Sequence, residues 1–143
     1  MATQNFENHA KFVPGFHIGV LGIFGANLIY GGVRLVQDFS LEKVFGLLVA
    51  IGLILCAFYS RIFALTVQDR VIRLEMRLRM ERVLPMDLRE RMGEFSVGQL
   101  VALRFASDAE LPELARKVLE GKIEDRKAIK QMVRDWQADW LRA

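Results

Sequence analysis

Apolar and polar positions are unevenly distributed along the chain. From Pro14 to Val33, twenty consecutive residues include no Asp, Glu, Lys or Arg. A second run opens near Leu41. Val44 to Ser60 is uncharged, Arg61 interrupts, and Ile62 to Gln68 is uncharged again. A helix of about 20 residues rises about 30 Å, the thickness of a bilayer's hydrocarbon core. Neither run carries the polar stripe of a half-buried helix in a soluble domain. The pattern therefore predicts a transmembrane hairpin with spans at 14–36 and 41–66, a short external loop at 37–40 and an N-terminal segment at 1–13. A cleaved signal sequence fits the first run poorly, because the run is too long and little positive charge precedes it.

No helix stop occurs between Thr66 and Leu84. The second span is thus expected to continue through 67–84 as one rod of about 40 residues, ended by Pro85. The extension carries two apolar stripes at helical spacing. One is Val67, Val71, Leu74 and Leu78; the other is Ile72, Met76, Met80 and Val83. Arginines lie between them, and a helix with two seams has more than one neighbour to satisfy. The seams are expected to meet the tail of the same chain, another subunit, or both. Asp69–Arg73 and Glu75–Arg79 are acid-first i,i+4 pairs, and Arg77–Glu81 is the reverse.

The tail, 85–143, reads as three short amphipathic helices. Ser96 caps the first, with Val97, Leu100, Val101 and Phe105 on one face. Ser107 to Glu110 has the spacing of a capping box for the second, which Gly121 stops. The third carries Ile129, Met132, Val133, Trp136 and Trp140 on one face. Each helix is too short to persist alone, so a small bundle is expected. The fold class is an all-α membrane protein: a two-helix hairpin, its second helix extended, and a bundle of three amphipathic helices.

Charge follows the same division. Over 69–143 there are 16 Lys and Arg against 14 Asp and Glu, and the whole chain is +3. A mixed-charge surface of this kind argues against nucleic acid as a partner. Arg61, Arg70, Arg73, Arg77, Arg79 and Arg82 follow the second run, whereas the link between the runs is nearly neutral. The positive-inside rule then puts both the N-terminus and the tail in the cytoplasm.

Small residues cluster in the spans. Gly15, Gly19, Gly22 and Ala26 fall at spacings of 4, 3 and 4, and Gly46 and Ala50 lie in the second run. Small-xxx-small patterns let helix backbones approach closely, within the hairpin or between copies. Asn27, at mid-depth, suits an interhelical hydrogen bond. Arg34 and Asp38, four apart at the outer boundary, are expected to pair or to meet lipid head groups.

The residues offer no recognisable chemistry. Cys56 is the sole cysteine, and His9 and His17 are the only histidines. No nucleophile–base set, zinc-ligand spacing or nucleotide loop is present, so a non-enzyme without cofactor or metal is expected. The candidate interaction surface is Arg70, Arg73, Arg77, Met76, Met80, Trp136 and Trp140.

Four stretches together resemble a family of bacterial two-helix membrane proteins of unknown function. They are Gln4-Asn-Phe-Glu-Asn-His9 with Pro14 and His17; Gln68-Asp-Arg-Val-Ile-Arg-Leu-Glu-Met-Arg-Leu-Arg79; Leu103-Arg-Phe-Ala-Ser-Asp108 with Glu110 and Leu111; and Trp136-Gln-Ala-Asp139. The resemblance implies a bacterial source and a two-helix membrane topology, and transfers no activity; the expected location is the bacterial inner membrane. The expected function is a structural or assembly element, self-associating or an accessory subunit of a membrane complex, in contact with membrane lipids. The alternatives are a small oligomeric transporter or channel, and a membrane-anchored adaptor that recruits a soluble partner.

Overall fold

A computed structural model describes residues 4–8 and 12–140. Six α-helices make up most of it: α1 (Leu21–Gln37), α2 (Leu41–Val83), α3 (Met86–Arg89), α4 (Val97–Leu103), α5 (Leu111–Glu120) and α6 (Arg126–Met132). A π-helical stretch, Gly15–Val20, leads into α1, and a 3₁₀ turn, Met92–Glu94, lies between α3 and α4. Among the described residues there is no strand, only one isolated antiparallel bridge between Ala106 and Trp136. The chain divides into two compact units, 11–65 and 1–10 with 66–143.

The unit at 11–65 is the hairpin. Gly15–Gln37 and Leu41–Val83 are both long and apolar enough to cross a membrane. The most apolar window of the first is 0% buried within the chain and that of the second 6%, so the chain itself leaves this surface uncovered. A core helix of a soluble domain would instead be mostly covered. The turn is fixed by Lys43, whose Nζ donates to the Asp38 carboxylate at 2.6 Å and to the Asp38 carbonyl at 2.7 Å. Asp38 thus pairs with Lys43 rather than with Arg34, because its carboxylate sits past the end of α1 and faces the first turn of α2. Ser40 accepts from the Lys43 amide at 3.3 Å, satisfying one free donor of that turn.

The other unit holds the folded core. Leu84, Leu88, Leu100, Leu103, Phe105, Leu111, Val118 and Ile129 are all fully buried there with Met80. Each such side chain is worth about 1.5–3 kcal/mol of transfer free energy. Ser96 caps α4 with a complete capping box: its hydroxyl accepts from the Gln99 amide, and the Gln99 side chain accepts from the Ser96 amide. That cap was legible in the sequence; several other expectations need correction.

The Ser107–Glu110 box is only half made. Ser107 Oγ accepts from the Glu110 amide at 3.3 Å, but the Glu110 carboxylate turns away to accept from the Arg134 and Asp135 amides at 2.9 Å. α5 consequently starts at Leu111, without a side-chain cap. The third amphipathic helix is also shorter than its periodicity predicts. α6 ends at Met132, and Val133 is extended at φ −71°, ψ 122°. The Ser107 amide donates to the Asp135 carbonyl at 3.0 Å, and the Gln137 amide to the Phe105 carbonyl at 2.7 Å. These pairings, together with Glu110, take the backbone groups that a longer helix would need. Trp136 and Trp140 therefore lie outside any helix.

The end of α5 differs in detail as well. Gly121 caps it in right-handed geometry, and the left-handed residue is Lys122 at φ 47°. The Ile123 amide donates to the Val118 carbonyl and the Lys122 amide to the Leu119 carbonyl, the two bonds of a Schellman motif. Gly121 is needed for space: a Cβ there would lie 2.9 Å from the Lys117 carbonyl oxygen.

Candidate functional site

Three of the family-like stretches, with the N-terminal Gln4, meet at one place. Arg79 projects from α2 beside the buried Met76 and Met80. Its guanidinium donates to Asp108 Oδ1 at 2.6 Å, the Ala106 carbonyl at 2.6 Å and the Arg104 carbonyl at 3.2 Å. One planar fork thus holds the loop that follows α4. Arg104 continues the chain of contacts: its Nε donates to Asp139 Oδ2 at 2.8 Å, and its guanidinium carbon stands 4.2 Å from the Phe105 ring centroid. Phe105 is fully buried, with the Trp136 ring 4.8 Å away. Gln4 closes the set. Its amide nitrogen donates to the Asp139 carbonyl at 3.3 Å, and its oxygen accepts from the Asp139 amide at 2.9 Å.

Beside this knot lies a cleft of about 500 Å³ lined by Ile72, Glu75, Met76, Arg79, Asp139 and Trp140, among others. Its two arginines, Arg79 and Arg104, are already committed to carboxylates and carbonyls. The cleft's polar character therefore serves to hold the chain's own segments together.

Met76 and Met80, expected on the interaction surface, are instead buried in the chain's own core, and Arg104, Asp108, Asp139 and Gln4 were not singled out as site residues. All four lie in the stretches that carry the family resemblance. No periodic rule connects residues so far apart, and only the fold brings them together. Two of the three predicted i,i+4 pairs of the rod give way to tertiary ones, and Arg77–Glu81 is not among the ion pairs of the described residues. Arg79 reaches Asp108 instead of Glu75, and Asp69 faces Arg126 at 3.7 Å.

The two stripes of the rod have opposite fates. Ile72, Met76 and Met80 are 5%, 3% and 0% exposed, packed in the core with Leu84. Val67, Val71, Leu74 and Leu78 are 60%, 49%, 61% and 53% exposed. Arg70 and Arg73 are exposed, Arg77 is half-buried, and none of the three has an ion pair among the described residues. Trp136 is partly buried against the core and donates its indole N–H to the Val133 carbonyl at 3.1 Å. Trp140 is exposed at the rim of the cleft.

In the hairpin, the predicted packing residues are mostly open. A Cβ added at Gly15, Gly19, Gly22 or Gly46 would meet nothing within 4 Å. Ala26 is exposed, and Ala50 is buried. The close approach between α1 and α2 falls at Gly31 instead, where a Cβ would stand 3.5 Å from Leu47 Cδ1. At the other end of the hairpin, Arg61 lies over the Phe16 ring at 5.8 Å, and the His17 ring stacks on Phe12 with its Nδ1 2.9 Å from the Val13 carbonyl. His9 is outside the described residues.

Among the described residues, no group of three or more His, Cys, Asp or Glu is placed to hold a metal ion. The carboxylates whose ionisation is displaced are exposed and structural. A hydrogen bond from Arg91 holds Glu94 below the usual carboxylate range, and one from Lys117 does the same for Glu113.

No curated protein and no solved structure matches the chain. A family model described as "Family of unknown function (DUF6526)" matches residues 1–143. The chain thus belongs to the DUF6526 family, which covers its whole length.

Proposed function

We propose that the chain is a non-catalytic, membrane-anchored assembly protein of the bacterial inner membrane. In this reading the hairpin inserts in the bilayer, and the N-terminal segment and the unit at 66–143 lie on the cytoplasmic side. The arginines that follow the second span support that orientation by the positive-inside rule. Arg70 and Arg73, exposed close to the span, suit contact with anionic lipid head groups.

One observation carries the proposal. The segment after the second span buries one apolar face in its own core and leaves the opposite face, Val67 to Leu78, open. An open apolar stripe on a folded unit favours a protein neighbour. The uncovered small residues Gly15, Gly19 and Gly22 add room for helix contacts between chains.

Gentle extraction from native membranes, followed by mass measurement and identification of co-purifying chains, tests this. The expected result is a species heavier than one 16.4 kDa chain. A monomer without companions counts against it.

A transporter or channel is the second reading. Asn27 and Arg34 line a cleft of about 370 Å³ with Tyr30, Glu42 and Lys43. Substrate or ion flux in reconstituted vesicles, lost in Asn27→Ala, would favour it over the assembly reading.

A further inference from the structure

The open face of α2 has a regular spacing that suggests its occupant. Val67, Val71, Leu74 and Leu78 recur at intervals of 4, 3 and 4, the seam of a coiled coil. Extending the same intervals toward the span gives Ala64 and Ser60, both small and exposed. In this register Ala64, Val71 and Leu78 take the a positions, and Ser60, Val67 and Leu74 the d positions. Val71 at a and Leu74 at d are the combination that favours two strands, while Val67 at d and Leu78 at a add nothing to that preference.

Lipid cannot cover the whole stripe. Leu78 lies about 18 Å beyond Thr66, where the expected span ends, at 1.5 Å per residue along the helix axis. The head-group layer adds only about 5–8 Å per leaflet beyond the hydrocarbon. Leu74 and Leu78, about 12 and 18 Å beyond the end of the span, therefore need a protein surface.

Charge points to a second copy. Two copies anchored in one membrane with the same topology run parallel. In a parallel pair, residue 70 at the g position of one helix faces residue 75 at the e position of the other. These are Arg70 and Glu75, both exposed and neither in an ion pair among the described residues. The pair occurs twice across the two-fold axis. One heptad further on, Arg77 faces Arg82, and Glu81 occupies the next d position between them. That places the end of the seam at Leu78.

We propose that the Val67–Leu78 stripe of α2 is the seam of a parallel two-stranded coiled coil with a second copy of this chain. The proposal rests on the assembly reading above and names its partner.

Cysteine cross-linking of the full chain in native membranes tests it, in a Cys56→Ala background. Val71→Cys and Leu74→Cys should each give a disulfide-linked dimer under mild oxidation, because facing a or d positions bring Cα atoms within disulfide reach. Arg73→Cys, exposed but off the seam, should not. Arg70→Glu sets like charges together twice and should weaken dimerisation about fivefold, from the modest strength of such pairs. Adding Glu75→Arg to that variant should restore it.

Equal cross-linking at residues 71, 74 and 73, or no rescue by the double exchange, overturns the seam. Absent cross-links in a chain that purifies with different companions overturn the second copy but keep the assembly reading. Absent cross-links in a chain that purifies alone as a monomer overturn both.

Discussion

Arg79 shows how much one side chain can organise. It is 13% exposed and satisfies two backbone carbonyls and one carboxylate. Asp108 is largely exposed, so its ion pair is screened, and the carbonyl bonds carry most of the effect. Arg79→Lys keeps the charge but lacks the planar fork, and leaves at least one of the carbonyls unmet. The expected loss is about 1.5–3 kcal/mol, the usual worth of a hydrogen bond to a charged group. Chemical denaturation of the purified chain in detergent would check it; an unchanged midpoint for Arg79→Lys would show that the guanidinium does not hold the loop. The resemblance put Arg79 in a shared stretch, but its three acceptors are 25 to 29 residues away. No local spacing could have named them.

At the scale of elements, helix ends set by local groups were easier to read than those set by distant partners. The Ser96 cap needs residues only three apart, and it formed as its spacing predicts. α5 and α6 were decided by distant partners. Glu110 gave up its local cap for the Arg134 and Asp135 amides, and the same bonds stopped α6 before Trp136. The end of α5 offers a sharper test. Lys122 holds a left-handed φ of 47° that costs a side-chain-bearing residue more than glycine. Lys122→Gly should therefore raise stability by about 0.5–1 kcal/mol, after glycine's larger unfolded-state entropy is subtracted. Gly121→Ala should lower it, since the new Cβ meets the Lys117 carbonyl at 2.9 Å. Thermal unfolding of the two variants beside the parent chain would separate these signs. Opposite signs would mean that the α5 terminus is not a Schellman turn.

For the whole molecule, the distinctive feature is the tie between the beginning and the end of the chain. Gln4 is buried, and its side-chain amide donates to the Asp139 carbonyl and accepts from the Asp139 N–H. Arg104 holds the Asp139 carboxylate independently. Gln4→Ala should release the 137–140 segment locally and leave the core of α4 to α6 intact. The Asp139 amide should exchange about tenfold faster, equivalent to a local loss of about 1.4 kcal/mol. Hydrogen exchange read by mass spectrometry would detect it. Equal protection in parent and variant would mean that the tie does not order the segment.

The two long apolar helices, the rod that continues the second and the Ser96 cap depend on composition and on neighbours within one or two helical turns. The sequence by itself determined these, because helix periodicity and the length of an apolar run are local properties. It also determined that the rod has two apolar stripes. Which stripe is covered was decided only in the tertiary structure: Met76 and Met80 found Leu84 and the rest of the core, while Val71 and Leu74 remained open. The meeting of Gln4, Arg79, Arg104 and Asp139 was decided there as well. Such contacts depend on closing long loops, whose entropy must be offset by many packed and hydrogen-bonded groups at once. No stretch of sequence contains that sum.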